Sequence, residues 1–461
     1  MTTLAALYPA HIDTLIHRHT KAMEAAGYSR VVIHSGGSLV PFLDDNHYPF
    51  KVNPHFKHWL PLLAHPHCAI DYRIGSKPRL IYFQPEDYWH KPPSDPAGYW
   101  ADFFDIELVT AVEDVAAALE GDMSRCAFIG EDASCMSGLA KSQVNPRALV
   151  DELHYYRAYK TAYEAECLRR ANRISAAGHM AAGDAFMAGG TELEIHHAYL
   201  RGAGVLEVEL PYTNIVAMNG HSSVLHYHGA DRDKMAASDI HSLVIDAGAD
   251  YAGYASDITR SYAFRDGEYA VLLQAVDQAQ QALVGEVKLG ESFADLHWRA
   301  HFKIAEILQR FNFVAMDPED MVAEGITNVF FPCGLGHFIG LQVHDVGGYQ
   351  MAPRMRASLR DPRAPYLRLA RTIEAGQALT IEPGIYFMEM LLGELAHNKH
   401  SRKVNWAKID EFRKYGGVRV EDCLFIHEDR VENQSRDAFK ALAKERAVDL
   451  LHVDADSNAV V

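Results

Sequence analysis

The sequence predicts an α+β fold divided into two domains, and three observations support this prediction. The chain has 461 residues, more than one hydrophobic core usually serves, so a catalytic domain of about 250 to 300 residues and a smaller domain are expected. A long helical pattern over residues 160–188, with apolar residues at three- and four-residue spacings, differs from the preceding α/β segment and marks the expected domain boundary. After it, strand-like and helical segments follow in mixed order, which is typical of an antiparallel or mixed sheet with helices.

Composition limits the class of protein. Apolar residues make up 48 % and charged residues 23 % of the chain, close to an average soluble globular protein. A net charge of −17 disfavours nucleic acid as a partner, because affinity for phosphates depends on Lys and Arg. No apolar window is long enough for a membrane helix, and the chain start lacks a basic segment followed by an apolar one. Six scattered cysteines without CxxC pairs do not resemble a disulfide framework, so we expect a cytoplasmic protein without a membrane partner.

Residues 1–159 are predicted to form an N-terminal α/β domain. Its first helix is expected from about residue 11 to residue 27, followed by an extended run at 29–34 that two glycines close. The second domain, residues 160–461, is predicted to begin with the long helix that Gly189 and Gly190 end.

The second domain shows recognisable start and stop signals. Thr191 and Glu194 have the spacing of a capping box, which begins the next helix. Residues 351–369, with several Arg and Pro, are predicted to be a surface insertion. The remaining elements are strands expected at 242–248, 255–264, 378–382 and 417–426, and helices expected at 268–286 and 293–311.

Asp246 and Asp257 are predicted to share a β-hairpin. If its tip lies between Tyr251 and Ala252, the two aspartates face each other as a cross-strand pair with Cβ atoms about 5 Å apart. Two facing carboxylates repel, and a divalent cation would offset this repulsion. The alternative, two solvated surface aspartates, stays open because Asp is common in turns.

His337 and His344 lie in a glycine-rich stretch, where the backbone can approach a ligand closely. The alternative is that either histidine is an ordinary core or surface group. Glu382 ends a predicted strand, because Pro383 has no N–H to continue the sheet. A side chain at such an end can point into a site.

Arg419 and Glu421 share one face of the last predicted strand, since the side-chain period of a strand is two. A solvent-facing edge strand is the alternative. Four carboxylates and one imidazole form a hard donor set that suits Mn²⁺, Co²⁺ or Mg²⁺ better than thiolate-bound zinc. Two such ions can activate a water molecule, so a hydrolase is predicted. The proposed ligands are Asp246, Asp257, His337, Glu382 and Glu421.

The local sequences around these residues resemble the pita-bread metallopeptidases, and most closely the bacterial Xaa-Pro dipeptidase, or prolidase, family. The resemblance covers nearly the whole chain and rests on residues 245–248, 256–260, 334–347, 381–386 and 418–422. It implies a pita-bread catalytic domain with two divalent cations, most often Mn²⁺, a bridging hydroxide as nucleophile and an Xaa-Pro dipeptide as substrate. Residues 42–50 are similar to the branch with a side activity on organophosphorus esters and fluorides.

The resemblance also implies roles for the ligands. Asp257 and Glu421 would bridge both ions, Asp246 would complete one, and His337 with Glu382 would complete the other. Glu382 would also carry a proton to the proline nitrogen, which is a poor leaving group without one.

Further residues match positions of the substrate pocket in this family. His226 and Tyr212 would line the pocket, and His344 would contact the scissile carbonyl and its oxyanion. Arg419 would bind the free carboxylate of the dipeptide through a bidentate contact. Asp45 would approach the active site of the second subunit in a homodimer.

Cys333 is a departure from the family pattern, which usually has a histidine at this substrate-pocket position. A thiol cannot act as an imidazolium, so we expect substrate orientation or turnover to differ from that of typical prolidases. The alternative is that Cys333 simply fills the volume. An Xaa-Pro aminopeptidase similar to aminopeptidase P and a non-catalytic pita-bread binding protein remain the competing functions. Methionine aminopeptidase is disfavoured by the large N-terminal domain.

Overall fold

The computed structural model describes residues 3–355 and 359–457, with side chains up to residue 447. The chain divides into two compact units. The first contains Met1–Cys167, Ala252–Tyr254 and Gln350–Ala357, and the second contains the remaining residues. The predicted domain boundary before residue 160 stays a prediction.

Helices occur in both units. Within the described residues their bounds are α1 Leu4–Ala26, α2 Pro54–Trp59, α3 Val112–Ala118, α4 Arg147–Arg157, α5 Ala162–Met187, α6 Glu192–Ala203, α7 Glu268–Gly285, α8 Phe293–Arg310, α9 Pro318–Ala323, α10 Thr327–Phe330, α11 Glu389–Ala396, α12 Trp406–Arg413 and α13 Gln434–Ser457. None of the helices in this part of the chain is long and apolar enough to cross a membrane.

The strands are short. Their bounds are β1 Arg30–His34, β2 Ala69–Arg73, β3 Arg79–Phe83, β4 Asp105–Val109, β5 Cys126–Ile129, β6 Ile215–Met218, β7 Ser242–Ala247, β8 Asp250–Tyr251, β9 Tyr254–Ala255, β10 Ile258–Ala263, β11 Ala378–Ile381, β12 Gly384–Tyr386, β13 Gly417–Arg419, β14 Asp422–Ile426 and β15 Val431–Asn433.

The first unit is built on a mixed five-stranded sheet in the order β4-β3-β2-β1-β5. β1 pairs antiparallel with β2 and parallel with β5, and every residue of β1 is buried because it is an interior strand. The first helix begins earlier than predicted: the side chain of Thr3 caps α1 by accepting a hydrogen bond from the Ala6 N–H. Pro9 lies inside this helix, although proline usually limits one.

The second unit contains three small antiparallel sheets in the orders β10-β7-β6, β11-β14-β15 and β12-β13. Helices α5 and α6 contribute Phe186 and Tyr199 to a core that includes Leu243 and Ile245 of β7. The predicted α+β class is confirmed.

Two predicted strands are each broken into two. Residues 255–264 divide between β9 and β10, and residues 417–426 divide between β13 and β14. The breaks contain Asp257 and Glu421, so neither residue belongs to a continuous strand. Glu421, in the second break, forms an isolated antiparallel bridge with Thr259 of β10.

The predicted register of the hairpin is wrong by two residues. Thr259, not Asp257, lies opposite Asp246. The reason is the turn: Ala252 and Gly253 have φ values of 54° and 92°, so they form the two-residue tip. A shift of two keeps every side chain on its face, so Asp257 becomes a diagonal neighbour of Asp246.

The predicted surface insertion at 351–369 is only partly a surface feature. Leu367 and Leu369 are buried, at 3 % and 1 % exposure. Residues 356–358 of this prediction lie outside the described residues. Apolar leucines anchor the end of a segment whose Arg and Pro content indicated full exposure.

Candidate metal centre

Three predicted ligands converge in the second unit. Asp257, His337 and Glu421 each offer a ligand atom, and these atoms lie within 4.8 Å of one another. His337 Nε2 is 3.4 Å from Asp257 Oδ2, 3.6 Å from Glu382 Oε1 and 3.9 Å from Glu421 Oε1. Residues from four separate segments therefore present one nitrogen and three carboxylates to a common point.

The backbone around His337 explains its orientation. His337 Nδ1 donates to the Phe338 carbonyl at 2.9 Å, which leaves Nε2 with its lone pair toward the carboxylates. The His337 carbonyl accepts from the Thr380 N–H at 2.9 Å, so this segment runs along β11. A Cβ at Gly336 would lie 2.0 Å from the Thr380 oxygen, and only glycine allows this approach.

Asp246 is connected to the other ligands through Tyr212 and Arg419. The Tyr212 hydroxyl lies 2.7 Å from Asp246 Oδ1 and 2.6 Å from Asp257 Oδ1. One hydroxyl proton cannot satisfy two carboxylates, so additional positive charge is needed there. Arg419 supplies part of it through a 2.7 Å bond from Nη2 to Asp246 Oδ2.

Arg419 is buried at 5 % exposure, which contradicts the solvent-facing alternative for this strand. Its Nε donates to Thr259 Oγ1 at 3.0 Å and its Nη1 to the Tyr386 hydroxyl at 2.9 Å. Thr259 in turn donates to Glu421 Oε2 at 2.8 Å. The guanidinium therefore holds one edge of the carboxylate group in place.

The raised pKa values of the buried carboxyl groups in this cluster are consistent with a site for cations. Burial, together with the charge of Asp257, raises the pKa of Asp246 to about 6 and that of Glu421 well above its usual range. Burial also raises the pKa of Glu382 to about 7. Glu421 Oε1 is buried and has no hydrogen-bond partner among the described residues. A cation would offset the mutual repulsion and occupy this oxygen, so the donor set fits the divalent metals predicted from the sequence.

His344 and His226 lie near the cluster of proposed metal ligands and are not themselves proposed as ligands. The His344 ring packs edge-on against His337, with ring centroids 4.5 Å apart. The pKa of the exposed His226 is lowered by burial of part of its ring and by the positive charge of Arg419. Both histidines are thus near the carboxylates in the same unit.

Cys333 is half-buried beside the same group. Burial and the negative charge of Glu382 raise the pKa of its thiol to about 12. The thiol is therefore neutral and takes no part as an anion. Asp45 is exposed in the first unit, where its carboxylate accepts from Asn46 Nδ2 at 3.4 Å.

Sequence reasoning missed several residues of the site. Thr259 follows Asp257 by two positions on the same strand face, a signal that could have found it. Tyr386 lies within the segment 381–386 that carried the resemblance. Arg368 is exposed, and its positive charge lowers the pKa of both His226 and His344, which places it by the two histidines; no local pattern marked it.

Comparisons with known proteins agree with this geometry. Residues 6–155 match the family "Xaa-Pro dipeptidase, N-terminal domain", and residues 166–428 match "Metallopeptidase family M24". An Xaa-Pro dipeptidase of Aeromonas hydrophila is 45 % identical over 95 % of this chain and 100 % of its own length. One from Pseudoalteromonas translucida is 47 % identical over 95 % of this chain and 99 % of its own.

Solved structures share the fold at lower identity. Escherichia coli aminopeptidase P in complex with substrate is 21 % identical, with a TM-score of 0.68 over 92 % of this chain and 95 % of that one. The same enzyme with the inhibitor Pro-Leu gives a TM-score of 0.68 over 92 % and 94 %. These likenesses confirm the predicted pita-bread fold with an N-terminal domain. With both family matches and relatives of this identity, the chain belongs to metallopeptidase family M24, in the group that carries an Xaa-Pro dipeptidase N-terminal domain.

Proposed function

We propose that this peptidase hydrolyses Xaa-Pro dipeptides with two divalent cations held by its five acidic and imidazole ligands. The observation that carries the proposal is the convergence of Asp257, His337 and Glu421 within 4.8 Å, with Glu382 beside them. Relatives at 45 and 47 % identity that are named Xaa-Pro dipeptidases support the substrate. When bound, the cations supply an activated water and polarise the scissile carbonyl.

The surrounding side chains suit the remaining steps. In this proposal, Glu382 takes a proton from the attacking water and delivers it to the proline nitrogen, which has no proton of its own. His344 donates a hydrogen bond to the carbonyl oxygen as negative charge develops there. The Tyr212 hydroxyl lies within hydrogen-bond distance of Asp246 and Asp257, which supports its proposed place in the lining of the substrate pocket.

Recognition of the dipeptide carboxylate needs a cation with free donors. Three N–H groups of Arg419 are engaged by Asp246, Thr259 and Tyr386, which suits a residue that orients ligands. Arg368 is exposed and lies close to His344 and His226. We therefore assign Arg368 as the principal contact of the dipeptide carboxylate. Arg419 can contribute to this contact only through the N–H groups that Asp246, Thr259 and Tyr386 do not engage.

Four finer features belong to the same proposal. The oxygen-rich donor set favours Mn²⁺ over softer metals, and the cytoplasm is the proposed location. A homodimer in which Asp45 approaches the neighbouring site is supported by the exposed apolar side chains of Phe42 and Leu43, at 91 % and 90 % exposure. A side activity on organophosphorus esters is proposed from the sequence of residues 42–50.

A substrate panel tests the function. Protein loaded with Mn²⁺ is assayed with Xaa-Pro dipeptides, Xaa-Pro-Yaa tripeptides and a phosphotriester. Turnover of dipeptides well above that of tripeptides is expected. Faster tripeptide turnover would instead indicate an aminopeptidase P-like enzyme, and no turnover with full metal content would indicate a non-catalytic binding protein. Sedimentation of the same sample tests the homodimer.

A further inference from the structure

Glu192 is a buried carboxylate outside the metal centre. It is the first residue of α6 and directly follows the helix cap Thr191, whose capping box with Glu194 is present as predicted. Its exposure is 1 %. None of the ion pairs among the described residues joins Glu192 to Lys or Arg, so hydrogen bonds and the helix N-terminus must stabilise its charge.

Four donors converge on this carboxylate. Oε1 accepts from the Met218 N–H at 2.8 Å and from His221 Nδ1 at 2.8 Å. Oε2 accepts from the Tyr227 hydroxyl at 2.8 Å and from the Asp231 N–H at 2.7 Å. All the acceptor positions of a carboxylate are used, and every partner is a donor.

Three of these partners belong to one loop, residues 219–231, which we call the His226 loop. Glu192 binds the loop near its start at His221 and at its end at Asp231, and the Asp231 carbonyl also accepts from the Leu193 N–H at 3.1 Å. One carboxylate therefore closes the whole loop. His226 lies within the closed segment.

Residues inside the His226 loop pack against the side chain of Tyr227. The rings of His221 and Tyr227 are stacked, with centroids 4.6 Å apart and planes 21° apart. A Cβ at Gly229 would lie 2.1 Å from the Tyr227 hydroxyl, so the backbone is folded tightly over the bond to Glu192. The position of Tyr227 is thus fixed, and His226 is its immediate neighbour.

We propose that Glu192 is a positioning residue that holds the His226 loop in its substrate-binding conformation and thereby sets the KM of the enzyme. The proposal rests on the proposed function, in which His226 lines the substrate pocket. None of the four hydrogen bonds to the Glu192 carboxylate involves a proposed metal ligand, so its loss should affect substrate binding more than metal content or kcat.

The test is Glu192→Gln, which keeps the shape but replaces one acceptor oxygen with an NH₂ group. That group opposes two donors, so the loop must rearrange. Glu194→Gln is the matched control, because it removes the same charge from the same helical turn, while the Glu194 carboxylate accepts from the Thr191 N–H and pairs with Lys234, both outside the loop. Tyr227→Phe is a milder second variant that removes only the hydroxyl contact.

KM for an Xaa-Pro dipeptide, kcat, metal content and hydrogen exchange of residues 219–231 are measured on the Mn²⁺-loaded protein. For Glu192→Gln we expect a KM increase of about tenfold, with kcat within about twofold, unchanged metal content and faster exchange in the loop. Tyr227→Phe should shift KM in the same direction by less, and Glu194→Gln should not shift it.

An unchanged KM in Glu192→Gln, or unchanged loop exchange, would overturn the proposal. Equal KM changes in Glu192→Gln and Glu194→Gln would also overturn it, because a general effect on the helix would then explain both. If the wild-type protein cleaves no Xaa-Pro dipeptide, the proposed function fails on its own, and the exchange measurement still decides whether Glu192 holds the loop.

Discussion

At the scale of single residues, the ligand types were predictable because the chemistry of metal binding restricts them to few side chains. The sequence also showed Glu382 before a proline and His337 after Gly336, and both features have local causes in the structure. The hydrogen-bond partners of the ligands were not predictable. Tyr212 and Arg419, for example, bind Asp246 through hydrogen bonds that depend on packing between distant segments.

The two arginines near the site give a prediction at this scale. Arg368→Gln is expected to raise KM for an Xaa-Pro dipeptide by about tenfold or more, because a hydrogen-bonded charge pair with the substrate carboxylate is lost. The substrate with its carboxylate converted to an amide should show little difference between wild type and variant. Steady-state kinetics with both substrates measures this.

Arg402→Gln, at an exposed position, is the control for a general charge effect. Equal sensitivity of the acid and the amide to Arg368→Gln would contradict the assignment and return carboxylate binding to Arg419.

At the scale of elements, helices and strands were predicted well where an apolar period or a cap specified them. The capping box of α6 and the ends of α7 and α8 are examples. The strand breaks at Asp257 and Glu421 were missed, because the sequence there remains compatible with a continuous strand. At the second break, Glu421 bridges to Thr259, which lies 162 positions earlier in the chain, and a contact of that sequence separation has no local signal.

The hairpin tip gives a prediction for an element. Ala252 has a left-handed φ of 54°. This conformation is energetically unfavourable for any residue that has a Cβ atom. Ala252→Asn should stabilise the protein by about 0.5 to 1 kcal/mol, because Asn before Gly is the preferred pair in this turn. Thermal unfolding measures the change as a higher Tm.

Ala263→Asn in β10 is the matched control, and it should lower the Tm because the backbone there is regular strand. A lower Tm for Ala252→Asn would show that the turn has another conformation.

The contact of α1 with the start of α5 gives a pH prediction. His11 is fully buried, with Nδ1 2.9 Å from Thr161 Oγ1 and Nε2 2.8 Å from the His58 carbonyl. Burial lowers its pKa from 6.5 to about 4, against the opposing charge of Glu164; His58 and Arg18 lower it further. The His11 imidazole therefore binds a proton less readily in the folded protein than in the unfolded chain.

Stability should consequently fall as pH drops from 6.5 toward 4, and His11 alone contributes about 2 kcal/mol of this loss between pH 7 and pH 5. His11→Gln should flatten the pH dependence of the free energy of unfolding in this range, whereas His17→Gln, at an exposed position of α1, should not. Urea unfolding at several pH values measures it, and parallel curves for all three proteins would contradict the prediction.

At the scale of the whole molecule, chain length favoured two domains, and the mixed order of strand and helix patterns predicted the α+β class. Each of the two compact units has its own core. All five proposed metal ligands belong to the second unit. The family was predictable from short motifs, since these contain the ligands and the glycines beside them. Distances between the motifs were not, because they depend on how three small sheets pack.

The most direct test of the central claim is the number of divalent cations that the protein retains. The protein is stripped of metal, reloaded with Mn²⁺, dialysed and analysed by elemental mass spectrometry, with Asp257→Asn as the variant and Asp266→Asn, at an exposed position, as its control. Two Mn²⁺ ions per chain are expected for the wild type and the control, and fewer than two for Asp257→Asn. A folded wild-type protein that retains no Mn²⁺ would contradict the claim that these five residues form a two-metal centre.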